Sequence, residues 1–104
     1  MSKFVFYSYW AMKIGGKHIV FDTLNVLYFE GFVNYTIIHF HNKKRLYARG
    51  LAYLERQIPE GFVRIHRGYL VNRSQIKHID GFTVILNSGQ ILPISRRRLK
   101  NLKS

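Results

Sequence analysis

Residues 62–73 read FVRIHRGYLVNR, from Phe62 to Arg73. In an extended chain, period two puts Val63 and Ile65 on one face and Phe62, Arg64 and His66 on the other. Gly68 interrupts the strand, and Tyr69, Leu70 and Val71 resume apolar sequence. The stretch therefore reads as strand, turn, strand, with apolar residues destined for a core. Arg64, His66, Arg67 and Arg73 are threaded among them, and the segment holds no acid. Core chemistry and unpaired cations share twelve residues.

Strand chemistry continues on both sides. Upstream, Lys17–Phe21 sets Ile19 and Phe21 on one side, and Val26–Phe29 is a short apolar run. Residues 31–34 break the pattern and Tyr35–His41 resumes it. There Ile37, His39 and His41 share one face, and Ile38 and Phe40 the other. Asn42-Lys43-Lys44 reads as a turn into Arg45–Arg49. Leu51, Leu54 and Ile58 fall at i, i+3 and i+7, which predicts a helix over Leu51–Gln57, stopped by Pro59. Downstream, Gln75–Ile79 and Phe82–Leu86 read as strands. Ser88-Gly89 reads as a two-residue hairpin turn into Ile91–Ile94. Pro93 cannot donate a backbone bond, so that return strand lies at an edge or kinks locally. Ser95 is the expected N-cap of a terminal helix, Arg96–Lys103. The pattern is one mainly-β domain with two short helices. Residues 1–16 are expected to be an N-terminal segment, either an extra strand or a tail, preceding a domain over 17–104.

Composition bounds the partners. The chain has 104 residues, enough for one domain, with 17 Lys and Arg against 5 acids and a net charge of +12. The charge is uneven. Residues 1–60 hold 8 cations and 4 acids, whereas residues 61–104 hold 9 cations and only Asp80. Nucleic acid is the first candidate partner and an anionic membrane surface the second. Cysteine is absent, which excludes disulfides and thiolate metal sites and fits a cytoplasmic location. No apolar run reaches the roughly 18 residues of a membrane span. The opening MSKFVFYSYWAM lacks the small-residue cleavage site of a signal peptide.

Three places attract attention. In SRRRLKNLK, Leu99 and Leu102 form a narrow apolar stripe, and Arg97 lies almost opposite it. Arg96, Arg97 and Arg98 oppose the helix dipole, which favours acids in the first turn. Cations beside free N–H groups suit an anion, and the anion with many such charges is a phosphate backbone. His66 and Arg67 leave a strand at a turn, where arginine can fork onto a guanine edge or a phosphate. His66 reads equally as a histidine satisfied by core hydrogen bonds, and Asn72 as a turn-capping side chain. Gly31-Phe32-Val33-Asn34-Tyr35 is a loop that a plain β-turn would also explain.

Enzymatic readings fare badly. The acids are scattered with no carboxylate pair, the serines lack nucleophile-elbow context, and no glycine-rich phosphate loop exists. His39 and His41 could set two metal ligands side by side, but no third is evident. They are expected to be exposed strand histidines. No cofactor and no metal are expected.

FVRIHRGYLVN, then IKHI, then LNSGQILPISRR, resembles the LytTR family of bacterial DNA-binding domains. The upstream VLYFEGFVNYTIIHF is similar to that family's second and third strands. The likeness covers roughly Lys17 to Lys103. It implies an elongated sandwich of small antiparallel sheets, with loops rather than a recognition helix entering the major groove of double-stranded DNA. It also implies transcription regulation as a response-regulator output domain of a two-component system, binding paired direct repeats in promoters. Groove-entering positions carried over are Tyr35 in the Gly31–Tyr35 loop, Arg67 after His66, and Arg97 at the start of the last helix. The full DNA-facing set expected is Asn34 and Tyr35 from the first loop, then His66, Arg67, Tyr69 and Arg73 from the central stretch. Arg96, Arg97, Arg98 and Lys100 complete it. Gly68 stands where the family usually has serine. The 104 residues leave no room for a receiver domain, so a standalone regulator or a fragment is expected. A homodimer on repeated sites and a regulatory partner protein are further expectations, and membrane binding is not. Two rival classes remain: RNA or single-strand binding, from 7 Tyr and 8 Phe able to stack on bases, and a membrane-surface module, from FVFYSYW plus the charge.

Overall fold

The structure is a computed structural model and describes residues 9–58 and 60–103. Among these, ten strands form three antiparallel sheets. Strands β1 (Tyr9–Ile14) and β2 (Lys17–Asp22) make a hairpin. The central sheet has five strands: β3 (Val26–Gly31), β4 (Thr36–Phe40), β5 (Lys44–Tyr47), β6 (Phe62–His66) and β7 (Tyr69–Asn72), in the order β5-β4-β3-β7-β6. Strands β8 (Ile76–Asp80), β9 (Thr83–Leu86) and β10 (Ile91–Pro93) form the third sheet, with β10 at its edge, as Pro93 requires. Helix α1 (Leu51–Gln57) links β5 to β6, and α2 (Leu99–Lys103) ends the described chain.

β3 is central because its sequence is apolar at consecutive positions. Val26, Leu27, Tyr28 and Phe29 are all buried, which a strand achieves only when covered on both faces. One face of the sheet presents Tyr28, Val63, Ile65 and Val71 to Val84, Leu86, Leu92 and Ile94, with Leu99 and Leu102 of α2 closing that side. The other face presents Phe29, Ile38 and Leu70 to Leu51 and Leu54 of α1, with Phe62 packed against them. The alternation in FVRIH thus divides its apolar side chains between two cores, each buried side chain contributing about 1.5–3 kcal/mol. Phe21 ties the β1–β2 hairpin to Phe40 by an edge-to-face contact at 5.5 Å, and Trp10 meets Phe21 edge-to-face at 5.8 Å within the hairpin.

Asn72 locks the sheet to its neighbours. Its side-chain oxygen accepts from the Ser74 amide at 3.1 Å, capping a 3-10 turn over Arg73–Gln75. Its buried Nδ2 donates to the carbonyls of Thr23 and Val26 at 3.1 and 2.8 Å. The turn-capping role read from sequence holds, and a long-range role adds to it.

Four local expectations need correction. Ser95 does not cap with its side chain; its Oγ is buried without a partner among the described residues. The terminal helix accordingly starts as a 3-10 turn over Arg96–Arg98 before becoming α-helical at Leu99. The β9–β10 loop has three residues, not two. Gly89 donates to Leu86 at 2.8 Å and Leu86 to Gln90 at 2.9 Å. Within this loop only Gly89 takes a positive φ, +94°, so a turn through Asn87 and Ser88 ends in a glycine bulge. His39 is buried rather than exposed: its Nε2 meets Glu30 Oε1 at 2.9 Å and its ring stacks on Tyr28 at 4.2 Å. The expected helix stop at Pro59 lies outside the described residues; the last α1 bond runs from Ile58 N to Leu54 O at 2.9 Å.

Candidate nucleic-acid interface

Three loops meet at one end of the central sheet, each held by a main-chain bond. The β3–β4 loop closes with Phe32 N donating to Tyr35 O at 2.8 Å, and the two rings stack with centroids 5.1 Å apart. Val33 projects from the tip, 92% exposed. Asn34 and Tyr35 beside it are exposed too. Gly31 N donates to Gly68 O at 2.9 Å, joining this loop to the β6–β7 turn. Ser95 N donates to Ile65 O at 2.8 Å, joining the start of the C-terminal turn to the same strand.

Within the β6–β7 turn the cations separate by role. Arg64 is a clamp. Its Nε donates to His66 O at 2.8 Å, Nη2 donates to Arg67 O, and Nη1 pairs with Glu55 on α1. Arg64, which is not among the expected DNA-facing residues, is thus committed to the fold. His66 Nδ1 accepts from the Gly68 amide at 3.1 Å. Burial pushes the His66 pKa down, and the charges of Arg67, Arg98 and Arg64 add to it. A neutral imidazole suits that accepting nitrogen. Arg67, next along, is exposed, and its guanidinium has no protein partner among the described residues.

The C-terminal turn behaves similarly. Arg96 lies over the Phe82 ring at 5.1 Å. Arg98 is half-buried, and its charge is felt by His66. Arg97 and Lys100 are exposed, with no protein partner among the described residues. Tyr69 is half-buried, its ring 5.6 Å from His66 and 5.9 Å from Tyr28. Burial, then Glu30, raises the pKa of its hydroxyl. Burial, reinforced by Glu30 and Tyr69, takes Tyr28 to about 12. Arg73 is not brought into this group. It follows the opposite end of β7 and donates to Asn101 O at 3.0 Å, tying down α2.

Sequence reasoning missed the division of labour among the arginines. The acids contribute to it: Glu30 is engaged by His39 and Glu55 by Arg64, and no salt bridge joins Arg67, Arg97 or Lys100 to a carboxylate among the described residues. Sequence reasoning also passed over Phe32 and Val33, whose exposure at a hairpin tip was readable only as a break in strand pattern. Among the described residues no group of three or more His, Cys, Asp or Glu could hold a metal, and no helix is long and apolar enough to cross a membrane.

Known proteins share this architecture. Residues 16–104 match the LytTr DNA-binding domain family. The chain is similar to the sensory transduction protein LytT of Bacillus subtilis, 29% identical over 102 residues, covering 89% of this chain and 41% of that protein. It is similar to the CO-responsive transcriptional regulator RcoM of Rhodospirillum rubrum, 29% identical over 89 residues, covering 79% of this chain and 38% of that one. The chain thus spans about two fifths of the length of these relatives. A LytTr DNA-binding domain structure from Bacillus cereus superposes with a TM-score of 0.75 at 24% identity, covering 92% of this chain and 94% of that one, which shows the shared fold. The match over residues 16–104 and the three-sheet architecture together establish that the chain belongs to the LytTr DNA-binding domain family.

Proposed function

We propose that this chain binds double-stranded DNA sequence-specifically to regulate transcription, inserting loops into the major groove, with two copies on direct repeats. One observation carries the reading: the Gly31–Gly68 and Ser95–Ile65 bonds draw three loops together, and two of them offer Arg67 and Arg97, whose guanidiniums have no protein partner among the described residues. Bidentate arginine on guanine is the commonest specific base contact. In this reading Tyr35, Arg67 and Arg97 face bases. Asn34, His66 and Tyr69 frame them, and Arg96, Arg98 and Lys100 hold phosphates. A response-regulator output role, with a regulatory partner protein, belongs to the same proposal. Single-strand binding is less favoured, because Phe32 and Tyr35 stack on each other instead of each offering two free faces to bases.

The test is selection from a random duplex library, followed by competition with single-stranded DNA and RNA. A repeated motif, preferred as duplex, is expected. Log affinity should fall linearly with log salt with a slope of about −4 to −6, for ~5–7 phosphates neutralised per domain. A flat slope, or equal preference for single strands, would overturn the reading.

A further inference from the structure

A second cluster of cations lies outside the three loops. Arg49 and Arg56 both approach the Tyr53 ring, with guanidinium carbons 4.5 and 5.9 Å from its centroid. The two charges are therefore at most about 10 Å apart. That is within the ~10 Å screening length at 0.1 M salt, so they repel each other. Neither has a carboxylate partner among the described residues. Glu55, the acid beside Arg56 on α1, is taken by Arg64. Next to them an open concavity of about 430 Å³ is lined by Lys13, Gly15, Gly16, Tyr47, Arg49 and Tyr53. Lys13 comes from β1 and is exposed. A guanidinium laid over an aromatic ring keeps its N–H edge free to fork onto an anion.

The position of this cluster identifies the anion. The Arg49 carbonyl accepts from Thr36 Oγ1 at 2.9 Å, and Thr36 pairs with Gly31 at the base of the β3–β4 loop. A Cβ on Gly50 would lie 3.6 Å from the Val33 carbonyl. The cluster is thus joined to the loop carrying Phe32–Tyr35. We propose that Arg49, Arg56 and Lys13 form a phosphate-binding site for the backbone of the duplex flanking the bases read by the loops. This rests on the duplex-binding reading above. It gives a role to β1, which precedes the segment matching the family. The contacts are sequence-independent, because phosphates carry no base identity.

The experiment compares the full chain with Arg49→Gln/Arg56→Gln, the same pair with Lys13→Gln, and the charge-conserving Arg49→Lys/Arg56→Lys. Each is titrated with the selected duplex in a short form, covering only the selected motif, and a form lengthened at both ends with arbitrary sequence. Salt is varied for each. Wild type should bind the longer duplex more tightly. The glutamine pair should lose that gain, and its salt slope should fall by about two, or by about three with Lys13→Gln added. The lysine pair should keep most of the slope, and the ratio of cognate to scrambled affinity should not change. Unchanged slope and length dependence in folded glutamine variants would overturn the proposal. So would equal loss in the glutamine and lysine pairs, which marks a packing role on Tyr53. Retained duplex binding with loss of binding to an acidic polypeptide would assign the cluster to a protein partner and overturn it too. Failure of wild type to prefer any duplex defeats the duplex-binding reading itself, a result distinct from all of these.

Discussion

The amide of Gly31 donates to the carbonyl of Gly68 at 2.9 Å, so two glycines from loops far apart in sequence fasten the β3–β4 loop to the β6–β7 turn. The two tolerate change differently. A Cβ on Gly31 would lie 2.8 Å from Leu51 Cβ, close to the α1 backbone, where nothing yields cheaply. A Cβ on Gly68 would meet His66 Nδ1 at 3.6 Å, an ordinary contact. Gly31→Ala should cost about 1–3 kcal/mol by overpacking and weaken duplex binding by displacing the loop. Gly68→Ser should fold normally. Thermal melts of both variants decide this; equal melting temperatures would show that the loop–α1 packing is misjudged.

Asn72→Ala should be among the most destabilising polar substitutions. It removes a turn cap and leaves the carbonyls of Thr23 and Val26 without their shared donor. Removing a buried donor from carbonyls packed around it costs about 1–3 kcal/mol per bond. A loss of roughly 2–4 kcal/mol in a urea titration is expected. A loss below about 0.5 kcal/mol, the level of an ordinary surface change, would contradict it.

Gly89→Val probes backbone strain alone, because nothing lies within 4 Å of a Cβ placed there. Its φ of +94° is one that a β-branched residue resists. The variant should lose about 1–3 kcal/mol, while Gly89→Asn should lose less. Identical melting curves for both variants and wild type would refute the bulge geometry.

Arg67→Ala and Arg97→Ala should each cost about 1–3 kcal/mol on the selected duplex and little on a scrambled one. Lys100→Ala should weaken both alike and lower the salt slope by about one. Arg64→Ala should behave differently again, losing stability before affinity, because it frees two turn carbonyls and Glu55. Affinities on both duplexes, measured beside melting curves, separate the three patterns.

His66 links pH to stability and binding with opposite signs. Its pKa in the folded chain lies below the ordinary 6.5, through burial and then Arg67, Arg98 and Arg64. The unfolded chain therefore takes up this proton first. The His66 contribution to stability is complete above about pH 6.5 and is lost as pH falls through the folded pKa. Duplex phosphates beside His66 should favour its protonated form, so binding should tighten over the same fall in pH. Subtracting the pH profiles of His66→Gln from those of wild type isolates both effects. Parallel trends in stability and affinity would rule out this linkage.

Sequence periodicity by itself determined the strand over Phe62–His66, the helix over Leu51–Gln57 and the exposure of Arg97, because each follows from where side chains point along a few residues of regular backbone, and the missing N–H of Pro93 narrowed its strand to an edge or a kink. Composition likewise determined that cations would outnumber their partners. What only the tertiary structure decided was which cations found partners. Arg64 meets Glu55 across a helix–strand contact, Arg73 reaches Asn101 in the last helix, and His39 settles against Glu30 and Tyr28 in the core. Ser95 is likewise placed by a distant segment, and its side chain does not cap. Its backbone is recruited by Ile65 on another strand, and the helix begins as a 3-10 turn. Direction along a strand or helix is a local property of the chain. The identity of a partner depends on which distant segments the two cores bring together, and no local pattern encodes that.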